Sequence, residues 1–199
     1  MVSSQVSFCV VGHHSRMAQA ATLSAVLGGQ MFIDYEDRGA NFNHRRAVEW
    51  ANEQNHRVVI VEDDAVLMCD SLRRFGEWVY RFPDNLVSFY LGTGRPPQYQ
   101  PAIAMKLVDA DKTRSDYIVL DRLIHGVCYS IPVEKTDRVL DRWDSRKPAD
   151  FAVGDACGGN VVYPVYSLVD HKDTDTIEKH PDGRPRRERR QAWRTWKGD

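Results

Sequence analysis

Three consecutive acids, Glu62-Asp63-Asp64, directly follow the apolar run Val58 to Val61 that ends the segment from Arg57. Carboxylates this close repel one another, so they need a shared positive partner. A divalent cation supplies it most simply. Carboxylate oxygens suit the hard ions Mg²⁺ and Mn²⁺, which keep positions open for water and substrate phosphates. A merely solvated acidic loop is the plain alternative for the acids taken alone. His171, just past the late segment Val161 to Val169, is a second candidate ligand, because an imidazole at a strand end can reach the same cleft; a surface or capping histidine competes with that reading. Asp150 and Asp155, flanking Phe151 to Gly154, are candidates for a general base that takes a proton from a hydroxyl. Asp150 equally suits the N-cap of a helix through Ala152, which leaves Asp155 free to face the cleft.

The elements that must position these groups are read from periodicity. Val6 to Val11, closed by Gly12, and Met31 to Ile33, closed by Asp34, read as buried strands. Between them Met17, Ala20, Ala21, Ser24 and Leu27 recur at helical spacing, with Gly28-Gly29 as the stop. A second helix from about Asn41 to Asn55 carries Ala47, Trp50 and Ala51 on one face and feeds the strand Arg57 to Val61. Strands joined by crossover helices are parallel and right-handed, so these residues predict a βαβαβ half of Rossmann type, with its crevice at the carboxyl ends of the strands. Those ends carry Gly12-His13-His14-Ser15-Arg16, Asp34 and the acid triplet. Arg16 can alternatively be a helix-surface charge. Arg45 and Arg46 open the second helix, where the helix dipole disfavours cations, and a phosphate partner would account for one of them.

Further on, Ser71 to Phe82 predicts a helix, Leu86 to Leu91 a strand and Gly92 to Pro101 a loop. Val127 to Ile131 predicts a strand leading to Pro132 at the first position of a helix ending near Trp143. Val161 to Val169 predicts a late strand in which Pro164 fits only an edge or a bend.

The chain has 199 residues, one domain's worth, and a formal net charge of −1 from 27 Lys/Arg and 28 Asp/Glu. It is neither a polycation nor an acidic disordered chain. The distribution is uneven: Lys179 to Asp199 holds eight basic and three acidic residues, so a body of residues 1–178 that is acidic precedes a basic tail, 179–199. Basic residues interleaved with Trp193 and Trp196 suit phosphate contact and base stacking, or simply a solvated terminus. No apolar stretch approaches the roughly 20 residues of a membrane helix. The N-terminus lacks a basic segment and a cleavage pattern, and the expected location is cytoplasmic. Cys9, Cys69, Cys128 and Cys157 form no CxxC pair and read as buried thiols.

The acid triplet a third of the way along, His125-Gly126 before a middle strand, and Pro164-x-x-Ser167-Leu168-Val169-x-His171 near the end together resemble the GT-A-fold glycosyltransferases. The resemblance is nearest to small bacterial and bacteriophage-encoded members and more distant to the lipooligosaccharide-type family with Glu-Asp-Asp. It spans about residues 5 to 175 and implies a Rossmann-like α/β domain with a mixed, mainly parallel sheet. By that resemblance the triplet is a DxD-type motif. Asp64 would hold Mn²⁺ or Mg²⁺ with the diphosphate of a nucleotide-sugar, expected to be a UDP-sugar, and His171 would complete the metal shell. Glu62 and Asp63 would face the ribose or sugar. Gly12, His13, Arg16 and Asp34 would surround the nucleoside end of the donor; apart from the resemblance, Arg46 is the candidate of the two helix-opening arginines for a phosphate partner. Tyr166 stands where the family commonly has Pro. The acceptor would be a saccharide, a protein or a modified DNA base. An inverting transfer would use Asp150 or Asp155 as base, and a retaining one would need neither. Two other classes remain: an Mg²⁺-dependent nucleotidyltransferase or phosphohydrolase, and a nucleic-acid-binding module working through the tail. The single glycine of Gly12-His-His-Ser-Arg is no P-loop, which weighs against nucleotidyl transfer of that kind.

Overall fold

β1 (Ser7–His13) buries Cys9, Val10 and Val11 in succession, as a strand covered on both faces must. The computed structural model describes residues 6–173 and 188–198. α1 (Met17–Leu27) ends at Gly28, which takes the left-handed conformation, and the chain returns in β2 (Gln30–Asp34). α2 (Ala40–Asn52) then leads to β3 (Val58–Glu62). β1 pairs in parallel with both, so that His13 lies level with Asp34 and Val11 with Glu62. The predicted βαβαβ half is present, and its three polar strand ends share one edge.

After β3 the chain forms β4 (Ala65–Leu67), α3 (Ser71–Arg81) and β5 (Leu86–Ser88). α4 (Gln100–Thr113) and β6 (Tyr117–Leu120) follow, then β7 (Cys128–Ser130), α5 (Thr136–Asp141) and α6 (Ala149–Cys157). β8 (Val161–Pro164) and β9 (Val169–His171) come last. The seven-stranded sheet runs β2-β1-β3-β7-β5-β8-β6, and β4 and β9 form a separate antiparallel ribbon. β7 and β6 run against their neighbours, so the sheet is mixed around a parallel core. Helices cover both faces: Cys9, Val11 and Ile60 pack under α2, α4 and α6, whereas Val10, Val59 and Val61 pack under α1 and α3. The architecture is α/β and Rossmann-like. No helix of the described residues is long and apolar enough to cross a membrane.

Several expectations shift. The late strand is two strands in two sheets, because β8 ends at Pro164 and the chain bends before β9. The helix predicted from Pro132 begins as a 3-10 turn at Val133 and is α-helical only from Thr136. Pro101 sits in the first turn of α4, where its missing N–H costs nothing, rather than in a loop. Cys69 is exposed, whereas Cys9, Cys128 and Cys157 are buried. Residues 188–198 are not a solvated tail. Ala192 is buried, Trp193 donates from Nε1 to Gln100 at 2.9 Å, Trp196 stacks under the Arg74 guanidinium at 3.5 Å, and Arg194 grips both Asp111 oxygens at 2.6 and 2.8 Å. The indoles expected for base stacking are therefore packed on the body. Lys179, Arg184, Arg186 and Arg187 lie outside the described residues.

Candidate metal centre at the strand ends

β3 delivers the acid triplet to the edge, and the β4–β9 ribbon folds a distant segment back over it. Ala65 pairs with His171 across that ribbon, so the residue after Asp64 lies opposite a histidine 106 positions further along the chain. Glu62, Asp64 and His171 each place a ligand atom within 4.8 Å of the others. The sequence expectation put Asp64 and His171 at one ion and Glu62 beside the sugar; the geometry gathers all three.

The protonation pattern follows from who can donate. His171 Nδ1 lies 2.7 Å from the Lys172 carbonyl, which only accepts, so Nδ1 carries the proton. Arg190 donates to Nε2 at 3.0 Å, which therefore presents its lone pair. This is the tautomer a metal ligand needs, fixed by a backbone carbonyl. Asp64 Oδ1 lies 3.5 Å from that Nε2, and because neither atom bears a proton they make no hydrogen bond. Asp64 Oδ1 is in fact buried with no hydrogen-bond partner among the described residues. A buried polar atom left unpaired costs about 1–3 kcal/mol, more when charged, so an oxygen and a nitrogen aimed at one point are a fit for a cation. The other oxygen, Oδ2, contacts Arg16 closely and Arg190 at 3.5 Å.

Glu62 is held by His44, which donates from Nε2 at 3.2 Å and accepts from the Tyr129 hydroxyl at Nδ1, 2.9 Å away. Burial pushes the Glu62 carboxyl up, but the hydrogen bond from His44 and the nearby Arg190 guanidinium hold it below the usual range. Asp63 turns the other way. It accepts the His13 amide at 2.9 Å and Arg16 at 2.9 Å, and burial, with Asp64 and Glu62 nearby, pushes it up to about 6 against the opposition of Arg16. Gly12 and Gly126 are the spacers. A Cβ on Gly12 would stand 3.0 Å from Asp63 Oδ2, and one on Gly126 would stand 2.9 Å from Glu62 Oε1.

The remaining predicted residues are distributed around this cluster. Asp34 is buried and spends both oxygens on its own loop, accepting from the amides of Glu36, Arg38 and Gly39 at 3.3, 3.1 and 2.7 Å. Burial raises its carboxyl, and these bonds bring it below the usual value. His13 and His14 converge on Asp37 Oδ1 at 2.6 and 3.1 Å at the mouth of the strand ends. Arg46 donates to the Ile33 carbonyl and Asn43 Oδ1, and lies on the outer face of α2 in a groove of about 490 Å³ with Arg38, Phe42 and Arg45. It contacts that groove rather than the triplet. Asp150 is in the first turn of α6, not its N-cap, which is Pro148. Burial, reinforced by the Glu62 charge and opposed by His44, pushes Asp150 up to about 6. Asp155 is not free to enter a cleft, because Arg122 holds one of its oxygens at 2.9 Å and Lys147 the other at 2.7 Å.

Sequence reasoning missed His44 and Arg190. His44 stands at helical spacing with Ala47, Val48 and Ala51 on the buried face of α2, a polar residue where an apolar one is expected. Arg190 gave no signal, one of several arginines in a basic run. No protein-family model matches the chain, and no curated protein matches it.

Proposed function

We propose that the chain is a metal-dependent glycosyltransferase of GT-A type that moves a sugar from a nucleoside-diphosphate sugar, a UDP-sugar in the simplest case, to an acceptor hydroxyl. The observation that carries this reading is the convergence of Glu62, Asp64 and His171, with an orphaned Asp64 oxygen and an unprotonated His171 Nε2, at the carboxyl ends of parallel strands. Two carboxylates and an imidazole suit Mn²⁺ or Mg²⁺. Bound there, such an ion would neutralise the charge that develops on a departing nucleoside diphosphate.

The chain's own residues supply the rest. His44 fixes Glu62, the Lys172 carbonyl fixes the His171 tautomer, and Arg16 keeps Asp63 and Asp64 together at the strand end. Asp150, held near 6, is deprotonated at neutral pH yet basic enough to accept a hydroxyl proton, so it is the stronger of the two base candidates for an inverting transfer. Asp155, locked between two cations, is the weaker.

A panel of UDP- and GDP-sugars incubated with Mn²⁺ and no acceptor tests the class. A glycosyltransferase breaks the anomeric C–O bond and releases nucleoside diphosphate and free sugar. A phosphohydrolase or nucleotidyltransferase using the same donor set breaks the diphosphate and gives nucleoside monophosphate and sugar 1-phosphate. The first product pair is expected, and the second would replace this reading.

A further inference from the structure

The C-terminal segment is fixed to the body a short distance from the acid cluster. Thr93 donates to the Gln191 carbonyl at 2.9 Å, Trp193 to Leu91 at 2.8 Å, Ser167 to Arg194 at 2.9 Å and Trp196 to Ser167 at 3.0 Å. The Ala192 amide donates to Asp170 Oδ1 at 2.7 Å, one residue before His171. Residues 191–196 are thus a strap across the same ribbon and loop that carry the site. Its neighbour Arg190 reaches inward, donating to His171 Nε2 at 3.0 Å and standing 3.5 Å from Asp64 Oδ2.

That position conflicts with metal binding. His171 Nε2 has one lone pair, and it cannot serve the Arg190 N–H and a cation at once. Arg16 has no such conflict, since it also holds Asp63 and does not touch His171. We propose that Arg190 couples divalent-ion binding to diphosphate binding: it occupies the His171 and Asp64 atoms in their absence, is displaced from His171 when an ion takes that nitrogen, and then engages the ion's anionic ligand. A guanidinium anchored by a neighbouring strap and moved off its partner beside a divalent cation is stabilised best by a doubly acceptor-rich anion, and the planar fork of arginine matches phosphate oxygens. This rests on the metal-site reading of Glu62, Asp64 and His171, and it assigns the strap a role in ligand binding.

The test is calorimetric, on the full chain, with Mn²⁺ alone and then inorganic pyrophosphate in saturating Mn²⁺, with a pyrophosphate–Mn²⁺ blank. Arg190→Ala should bind Mn²⁺ alone several-fold more tightly than the unaltered chain, because a competitor is gone. It should bind pyrophosphate about tenfold more weakly, the loss expected for one charge-assisted contact. Arg190→Gln, with similar packing volume, should show the same opposed shifts, which guards against a folding defect in the alanine variant. Arg189→Ala, exposed and next door, should show neither. Unchanged affinities in both Arg190 variants, or a weakening of both ligands alike, would overturn the coupling while leaving the metal site standing. Absence of Mn²⁺ binding by the unaltered chain and by both Arg190 variants alike would overturn both.

Discussion

At the scale of single residues the site is an arrangement for keeping acids together at a cost. Asp63, pushed up to about 6 from 3.8, holds a proton more tightly in the folded chain than in the unfolded one. Its contribution to stability is therefore full below about 3.8 and lost as pH rises through about 6. Asp150 acts in the same direction. His125 acts in the opposite one, because burial pushes it down to about 4 and acid then favours the unfolded state. The overall pH profile blends these, so the informative quantity is a difference between variants. Asp63→Asn should melt at a higher temperature than the unaltered chain at pH 8, by an amount on the order of 2 kcal/mol, and the advantage should vanish towards pH 4. Thermal melts across that range check it, and an Asp63→Asn deficit that is independent of pH would contradict the assignment of Asp63 as a strained acid.

At the scale of elements, what the sequence made legible was the half of the molecule built from local signals. Val6 to Val11, the helix closed by Gly28 and the run before Glu62 each announce their type by periodicity, and parallel crossover logic then puts the acids at a sheet edge. α4 escaped because Pro101 reads as loop punctuation, although Ile103, Leu107 and Ala110 repeat at helical spacing. The ribbon of β4 and β9 escaped for a different reason: three-residue strands carry no usable period, and their partnership is a long-range fact. His171 could be named from its place after an apolar segment, but not its position opposite Ala65. Gly126 belongs to this scale, since it lets the start of β7 pass the end of β3. Gly126→Ala would put a methyl 2.9 Å from Glu62 Oε1, the movable end of a side chain. The carboxylate should swing away and lose His44, so Mn²⁺ affinity should drop about tenfold while the melting temperature changes by only a few degrees. A variant that unfolds, or one that binds Mn²⁺ normally, would show that Gly126 serves something else.

At the scale of the whole molecule the candidate site is a junction of segments far apart in sequence: β3 and the triplet, α2 through His44, the start of β7, β9, and the strap from residue 191. This is why composition misleads about residues 190–196. A basic run reads as a solvated or nucleic-acid-binding tail when counted, yet Arg194 is spent on Asp111, Arg190 on His171, and Trp193 and Trp196 on packing. An ion bridging segments that are joined only by the fold stabilises the entire chain by mass action, so its binding is visible without any turnover. The most direct measurement is Mn²⁺ binding in the presence of UDP, followed by the electron paramagnetic resonance of free Mn²⁺, for the unaltered chain and for Asp64→Asn. The account predicts one ion bound per unaltered chain and an affinity at least about tenfold weaker in a folded Asp64→Asn. No binding by the unaltered chain, or equal binding by Asp64→Asn, would contradict it.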